Sequence, residues 1–154
     1  MDAGTIVYVM GPSGAGKDSI LRYARERLDG KVPVAFAHRY ITRPPRHDDE
    51  NHVALSPAEF ARRRDCGLFA MHWQAHELSY GIGIEIEAWR RAGLVVVISG
   101  SRTHFDRHLT SAADVVPLLV ACTPDALAKR LLARGRETAD EIAARLSRPV
   151  PLPA

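Results

Sequence analysis

The chain has little cysteine, no long hydrophobic run and almost no charge bias. Its two cysteines, Cys66 and Cys122, are isolated in different segments. So placed, they form neither a disulfide framework nor a zinc ligand set, and partly buried, reduced thiols of a cytoplasmic protein are expected. The net charge of +3, with a pI near 9.1, is too weakly basic to argue for nucleic acid. No apolar run approaches the roughly 18 residues of a membrane span and no charged-then-apolar leader is visible, so neither a membrane segment nor a secretion signal is expected. There is no internal repeat. Aromatic residues make up 6% of the chain, and Trp73 and Trp89 read as packing rather than base-stacking residues. What remains is a chain of 154 residues, 46% hydrophobic, enough for one domain with a core of its own.

The densest information lies in Gly11-Pro12-Ser13-Gly14-Ala15-Gly16-Lys17, directly after the apolar run Ile6–Met10. A glycine, four residues and then Gly-Lys, set between a buried strand and a helix, is the pattern of a phosphate-binding loop. Its glycines let successive N–H groups curl around a phosphate with no Cβ in the way. The helix expected from about Lys17 to Leu28 points its positive end at the same anion. Lys17 would reach the β- and γ-phosphates of a bound nucleotide as a point charge.

The residue after Lys17, normally a hydroxyl that ligates Mg²⁺, is Asp18, with Ser19 one step on. A carboxylate is a good ligand for a hard cation, so Asp18 is a candidate metal ligand. The competing reading is a first-turn acid that stabilises the helix dipole by about 1 kcal/mol at most. His104 and His108 are expected on one helix face, and His72 and His76 have the same spacing, but neither pair has a third ligand, so zinc is not expected.

Elsewhere apolar runs alternate with helical patterns, which predicts an α/β fold with a parallel sheet. Four core strands are expected at Ile6–Met10, Val34–Ile41, Leu94–Ile98 and Val115–Ala121, the third buried on both faces. The second belongs to an extended stretch that opens at Pro33, and a shorter extended piece follows at Asn51–Leu55. Helices are expected from Ser56-Pro57, with Phe60 and Leu68 facing inward, and then over Ile84–Ala92, Pro124–Ala133 and Ala139–Leu146. The last strand would be left as a bare apolar edge, only partly blunted by Pro117. Either a final strand and helix are absent, or the Pro-rich tail at 149–154 covers that edge.

Phosphoryl transfer needs a second anion clamp, and three basic elements are candidates. His38-Arg39-Tyr40-Ile41-Thr42-Arg43-Pro44-Pro45-Arg46 places Arg39, Arg43 and Arg46 at a strand end, on a loop stiffened by two prolines. The alternative is a solvated basic loop. In Ser79-Tyr80-Gly81-Ile82-Gly83, Tyr80 is expected beside a tight turn at a helix start, suited to a phosphate oxygen. Ser99-Gly100-Ser101-Arg102 follows the central strand, where open α/β sheets place ligands, and Arg102 is either an acceptor contact or a surface ion pair. The third element, Lys129 to Arg136, puts Arg130 and Arg134 on one helix face before Gly135, with Arg145 on the next helix. This is a candidate lid over 130–145 that brings arginines to the transferring phosphoryl group, or else a helix laced with ion pairs.

The order phosphate loop, Thr-Arg-Pro-Pro-Arg, Tyr-Gly, then Arg-Gly-Arg-Glu before a helix ending Ala-Arg-Leu resembles the guanylate kinase-like P-loop kinases. Within them, Gly-Pro-Ser-Gly-Ala-Gly-Lys-Asp-Ser, His-Arg-Tyr-Ile-Thr-Arg, Glu-Asn-His-Val-Ala-Leu-Ser, Tyr-Gly-Ile-Gly and Ser-Gly-Ser-Arg are similar to the ribose 1,5-bisphosphate phosphokinases of phosphonate breakdown. The resemblance spans residues 1–148 as one kinase domain, with an acceptor region over 38–82. It implies ATP and Mg²⁺ as cofactors, a phosphorylated sugar as substrate, and the loop residues Gly11 to Ser19 as the nucleotide site. It also implies a closing strand and helix that are not recognisable in this sequence. Guanine readers among the relatives use a serine where Arg39 stands and acidic residues near Met71 and Gly100, so the resemblance favours a sugar bisphosphate over GMP. Kinase action on GMP, and a binding module or inactive fragment, are the alternatives. No nucleic-acid or membrane partner is expected, and a homodimer is left open.

Overall fold

The computed structural model describes residues 2–12, 14–44 and 51–135, together with 138, 140, 141 and 143. Ser13, Arg46, Arg145, the acidic turn at 48–50, most of the last expected helix and the tail at 149–154 lie outside the described residues, as does the side chain of Arg134.

The elements run β1 (Ile6–Met10), α1 (Lys17–Leu28), β2 (Val34–Phe36), β3 (Arg39–Ile41), β4 (His52–Ala54), α2 (Pro57–Asp65), β5 (Phe69–Ala75), β6 (Leu78–Gly83), α3 (Glu85–Arg91), β7 (Val95–Ser99), α4 (Arg102–His108), β8 (Val115–Leu119) and α5 (Pro124–Arg134). β2, β7, β1 and β8 form an all-parallel sheet in that order. β4, β3, β6 and β5 form a second sheet, parallel between β4 and β3 and antiparallel elsewhere. The fold is therefore α/β with a small second sheet formed within residues 39–83.

The single strand expected over Val34–Ile41 is two strands in different sheets. The Ala37 N–H makes the last bond to β7, at the Val97 carbonyl, and from Arg39 the chain pairs with β6 instead. Asn51 holds the corner, donating from Nδ2 to the Phe36 and Ala37 carbonyls at 3.4 and 3.2 Å. The β5–β6 hairpin was not anticipated. Its two-residue turn, His76-Glu77, has both residues at positive φ, 51° and 62°, without the glycine or asparagine that usually marks such a turn. α4 carries the helix face expected for His104 and His108.

The core lies between the sheets. Ile6, Tyr8 and Met10 from β1, with Val96 and Ile98 from β7, pack on Ile82, Ile86 and Phe105, and Trp73 and Trp89 lie against this cluster as packing residues. The other face of the parallel sheet is only partly covered. β7 alternates buried and half-buried residues rather than being buried on both faces, and no residue of α1 is fully buried. An open apolar groove runs between α1 and the sheet, lined by Leu21, Leu28, Val34, Val97 and Leu118. On β8, Val116 and Leu118 are half exposed, and the far edge of this strand carries no partner strand among the described residues. Two inward expectations fail beside α2. Phe60 is buried and meets the Phe69 ring at 4.6 Å, but Gly67, at φ 70°, turns the chain after α2 so that Leu68 is exposed. Cys66, which closes that helix, is exposed rather than partly buried.

Candidate active site

β1 delivers the chain into the glycine loop, whose described residues take the backbone shape that motif needs. Gly14 and Gly16 have φ of 88° and 93°, where a side chain is strained. The Ala15 N–H bonds to the Pro12 carbonyl at 3.0 Å, and Gly16 precedes α1, whose first turn carries Lys17, Asp18 and Ser19. Gly11, at the strand end, comes so close to the Val120 carbonyl that a Cβ would overlap it. Lys17 Nζ donates to the Gly100 carbonyl at 3.4 Å, at the end of the neighbouring strand β7.

That Gly100 segment is fixed from below. The Tyr8 hydroxyl, fully buried, accepts the Ser101 N–H at 2.9 Å and lies 3.1 Å from the Ser101 carbonyl and 3.0 Å from His104 Nδ1. Its single proton goes to one of those two acceptors, according to the tautomer of His104. Burial raises the Tyr8 phenol well above its usual range, with smaller opposing effects from the Ser101 backbone and Arg39. Burial first, then His108 and His72, lowers His104 to about 4, so it is neutral at pH 7. A Cβ at Gly100 would overlap the Tyr8 ring. His104 and His108 do face each other, their rings 5.2 Å apart, but among the described residues no group of three metal-ligating side chains forms. His72 and His76 fall on a strand and a turn, not one helix face.

The acceptor candidates gather on the second sheet. Tyr80 lies within β6 rather than at a helix start, directly opposite Trp73 and stacked on it at 5.7 Å. Arg39 places its guanidinium 5.6 Å from the centre of the Tyr80 ring. Thr42 bonds twice to Ser79, its Oγ1 accepting the Ser79 N–H at 2.9 Å and its own N–H reaching the Ser79 carbonyl, which holds Arg43 close to Tyr80 in the chain fold. Tyr40, by contrast, points to Glu85 at 3.2 Å, and burial followed by the Glu85 charge raises its phenol.

Arg102 opens α4 over the Ser101 cap and makes an ion pair with Asp106 at 3.6 Å, the alternative to an acceptor contact. Its Nη1 is nevertheless buried with no hydrogen-bond partner among the described residues. Arg130 reaches the nucleotide loop, donating from Nη1 to the Ala15 carbonyl at 2.8 Å. Leu127 and Leu131, on the same side of α5, are buried, and a Cβ on Gly14 would press against both. The first part of the expected lid is thus docked on the loop. Arg134 ends α5 before Gly135, at φ 66°.

Two lining residues escaped sequence reading. Arg22 and Arg25 on α1 share a pocket with Asp18, Arg39, Asn51 and Ser99, immediately beside the Lys17–Gly100 contact. Their spacing of three along α1 was the only available sign, and it reads equally well as an exposed helix face.

No family model matches the chain. It is 51% identical to ribose 1,5-bisphosphate phosphokinase PhnN of Thiobacillus denitrificans, over 96% of this chain and 78% of that protein. The chain belongs to the ribose 1,5-bisphosphate phosphokinase family. The protein of the same name from Burkholderia pseudomallei is 53% identical over 97% of this chain and 80% of its own length. The one from Laribacter hongkongensis is 56% identical over 95% of this chain, which spans only 35% of that longer protein. Guanylate kinase from Anaplasma phagocytophilum shares the fold, with a TM-score of 0.67 at 15% identity over 95% of this chain and 84% of that one. Among the described residues no helix is long and apolar enough to cross a membrane.

Proposed function

We propose that the chain transfers the γ-phosphoryl group of ATP to the 1-phosphate of ribose 1,5-bisphosphate, giving ADP and 5-phosphoribosyl 1-diphosphate. The observation that carries this reading is the glycine loop with Lys17 next to a pocket lined by Arg22, Arg25 and Arg39. Arginine forks in one pocket suit a polyanion, since each can meet phosphate oxygens in pairs.

A phosphate monoester is largely dianionic at pH 7, since its second pKa is about 6. A 1-phosphate oxygen therefore attacks the γ-phosphorus without a general base. The new O–P bond forms as the bond to the β–γ bridging oxygen breaks, and ADP carries off that oxygen's charge. Arg39, Arg43 and Tyr80 orient the acceptor, with Arg46 in the same loop; Lys17 and Arg130 neutralise the donor phosphates, with Arg134 and Arg145 as further lid candidates. Asp18, in the first turn of α1 and on the pocket wall, fits a Mg²⁺ held mainly by phosphates, the usual arrangement for that ion. Bound there, Mg²⁺ would supply charge neutralisation for the donor phosphates.

ADP release tested against ribose 1,5-bisphosphate, ribose 1-phosphate and GMP decides the matter. The bisphosphate is expected to turn over with the highest kcat/KM. Faster turnover of GMP overturns the proposal.

A further inference from the structure

We propose that Arg22 and Arg25 of α1, with Arg39, form a second anion subsite that holds the acceptor's non-reacting phosphate and so sets its specificity. The inference rests on the kinase reading above and extends it to residues outside the loop and clamp motifs.

The pocket runs down α1 from Asp18 to Arg25, about 10 Å along the axis at about 1.5 Å per residue. One end adjoins Lys17, the group that meets the donor phosphates. The other ends in guanidinium groups. Among the described lining residues three are arginines, Arg22, Arg25 and Arg39, and Asp18 is the only carboxylate. Arg39 belongs to both halves: it lies over Tyr80 on the second sheet and also walls this pocket. A molecule seated on Arg39 therefore meets the Tyr80 side with one end and α1 with the other.

Two further observations point to a polar ligand there. Ser99 lines the pocket, and its Oγ is buried with no hydrogen-bond partner among the described residues. Such a group is costly unless a ligand or water meets it. Asn51, opposite, is rigidly placed by its two bonds across the corner between the sheets. Arginine suits this task because its planar fork meets phosphate oxygens in pairs, and two arginines one helical turn apart present two such forks on one side.

The test compares wild type with Arg22→Gln, Arg25→Gln and the double variant, using Arg107→Gln, an exposed position on α4, as control. The first readout is the ratio of kcat/KM for ribose 1,5-bisphosphate to that for ribose 1-phosphate, which lacks the second anion. That ratio should fall about tenfold per arginine and about 100-fold in the double variant, through KM rather than kcat, and stay unchanged in the control. The second readout is calorimetric binding of ribose 5-phosphate, which carries only the non-reacting phosphate. It should weaken at least tenfold in the double variant.

An unchanged ratio, or ribose 5-phosphate binding equal in wild type and double variant, overturns the subsite. So does wild type that gives no binding heat with millimolar ribose 5-phosphate. Wild type that binds ribose 5-phosphate but forms no ADP with the bisphosphate overturns the kinase reading instead. Circular dichroism and thermal melting of each variant separate loss of fold from loss of affinity.

Discussion

Arg130 and Ala15, 115 positions apart in the chain, are joined by a 2.8 Å hydrogen bond from guanidinium to loop carbonyl. The bond ties α5 to the nucleotide loop, next to the seat of Leu127 and Leu131 against Gly14. An arginine that reaches the transferring phosphate from this position starts from a docked helix.

Replacing Arg130 by Ala is therefore expected to lower kcat by at least about 100-fold, the scale seen when a charge-neutralising donor is removed from a phosphoryl-transfer site. Arg130→Lys should recover little of it, because an ammonium cannot bridge a loop carbonyl and a phosphate with a planar fork. Single-turnover kinetics with saturating ATP is the measurement; near-normal kcat in Arg130→Ala would place the residue outside the chemistry.

Lys17→Ala is expected to cost about 1,000-fold or more in kcat/KM while leaving the melting temperature within a few degrees. Lys17 is half-buried, and its contact to the Gly100 carbonyl, at 3.4 Å, is long. ADP release and thermal melting read the two quantities separately.

Tyr8→Phe removes one oxygen from under the Gly100 segment and leaves the buried Ser101 N–H without its acceptor. A loss of about 1–3 kcal/mol in urea-unfolding stability is expected. Gly100→Ala should cost about 3 kcal/mol, because its Cβ overlaps the Tyr8 ring and both are held by the core. A Gly100→Ala protein as stable as wild type would mean that this segment is not fixed from below.

His104 makes stability depend on pH in a definite direction. The native protein resists protonating it until about pH 4, whereas an unfolded histidine protonates near 6.5. Between those values the unfolded chain binds more protons, so stability rises with pH. It is fully present above about 6.5 and falls by up to about 3 kcal/mol as the pH drops to 4. Urea midpoints at pH 7.5, 5.5 and 4.5 should fall in that order, and His104→Gln should flatten the trend.

The phosphate loop was legible from residue types alone. Gly14 and Gly16 at positive φ, Lys17 at the head of a helix and an apolar strand before them follow from local sterics and hydrophobic pattern, which need no distant partner. The parallel strands of the main sheet were legible from their Ile- and Val-rich runs, although their burial was not: β8 has no buried residue and β7 buries only alternate ones.

The second sheet was not. The His76-Glu77 turn carries no turn signal, and the strand after Pro33 reads as continuous because nothing local says that Ala37 bonds to β7 while Arg39 bonds to β6. Only tertiary structure decides that change of partner, through the Asn51 bridge across the corner. Arg22 and Arg25 make the same point. The sequence determined a glycine loop at the head of a helix and several arginine-rich segments. Which arginines share one pocket was decided by packing, because convergence of charge depends on where helix and sheet are held in space, not on spacing along the chain.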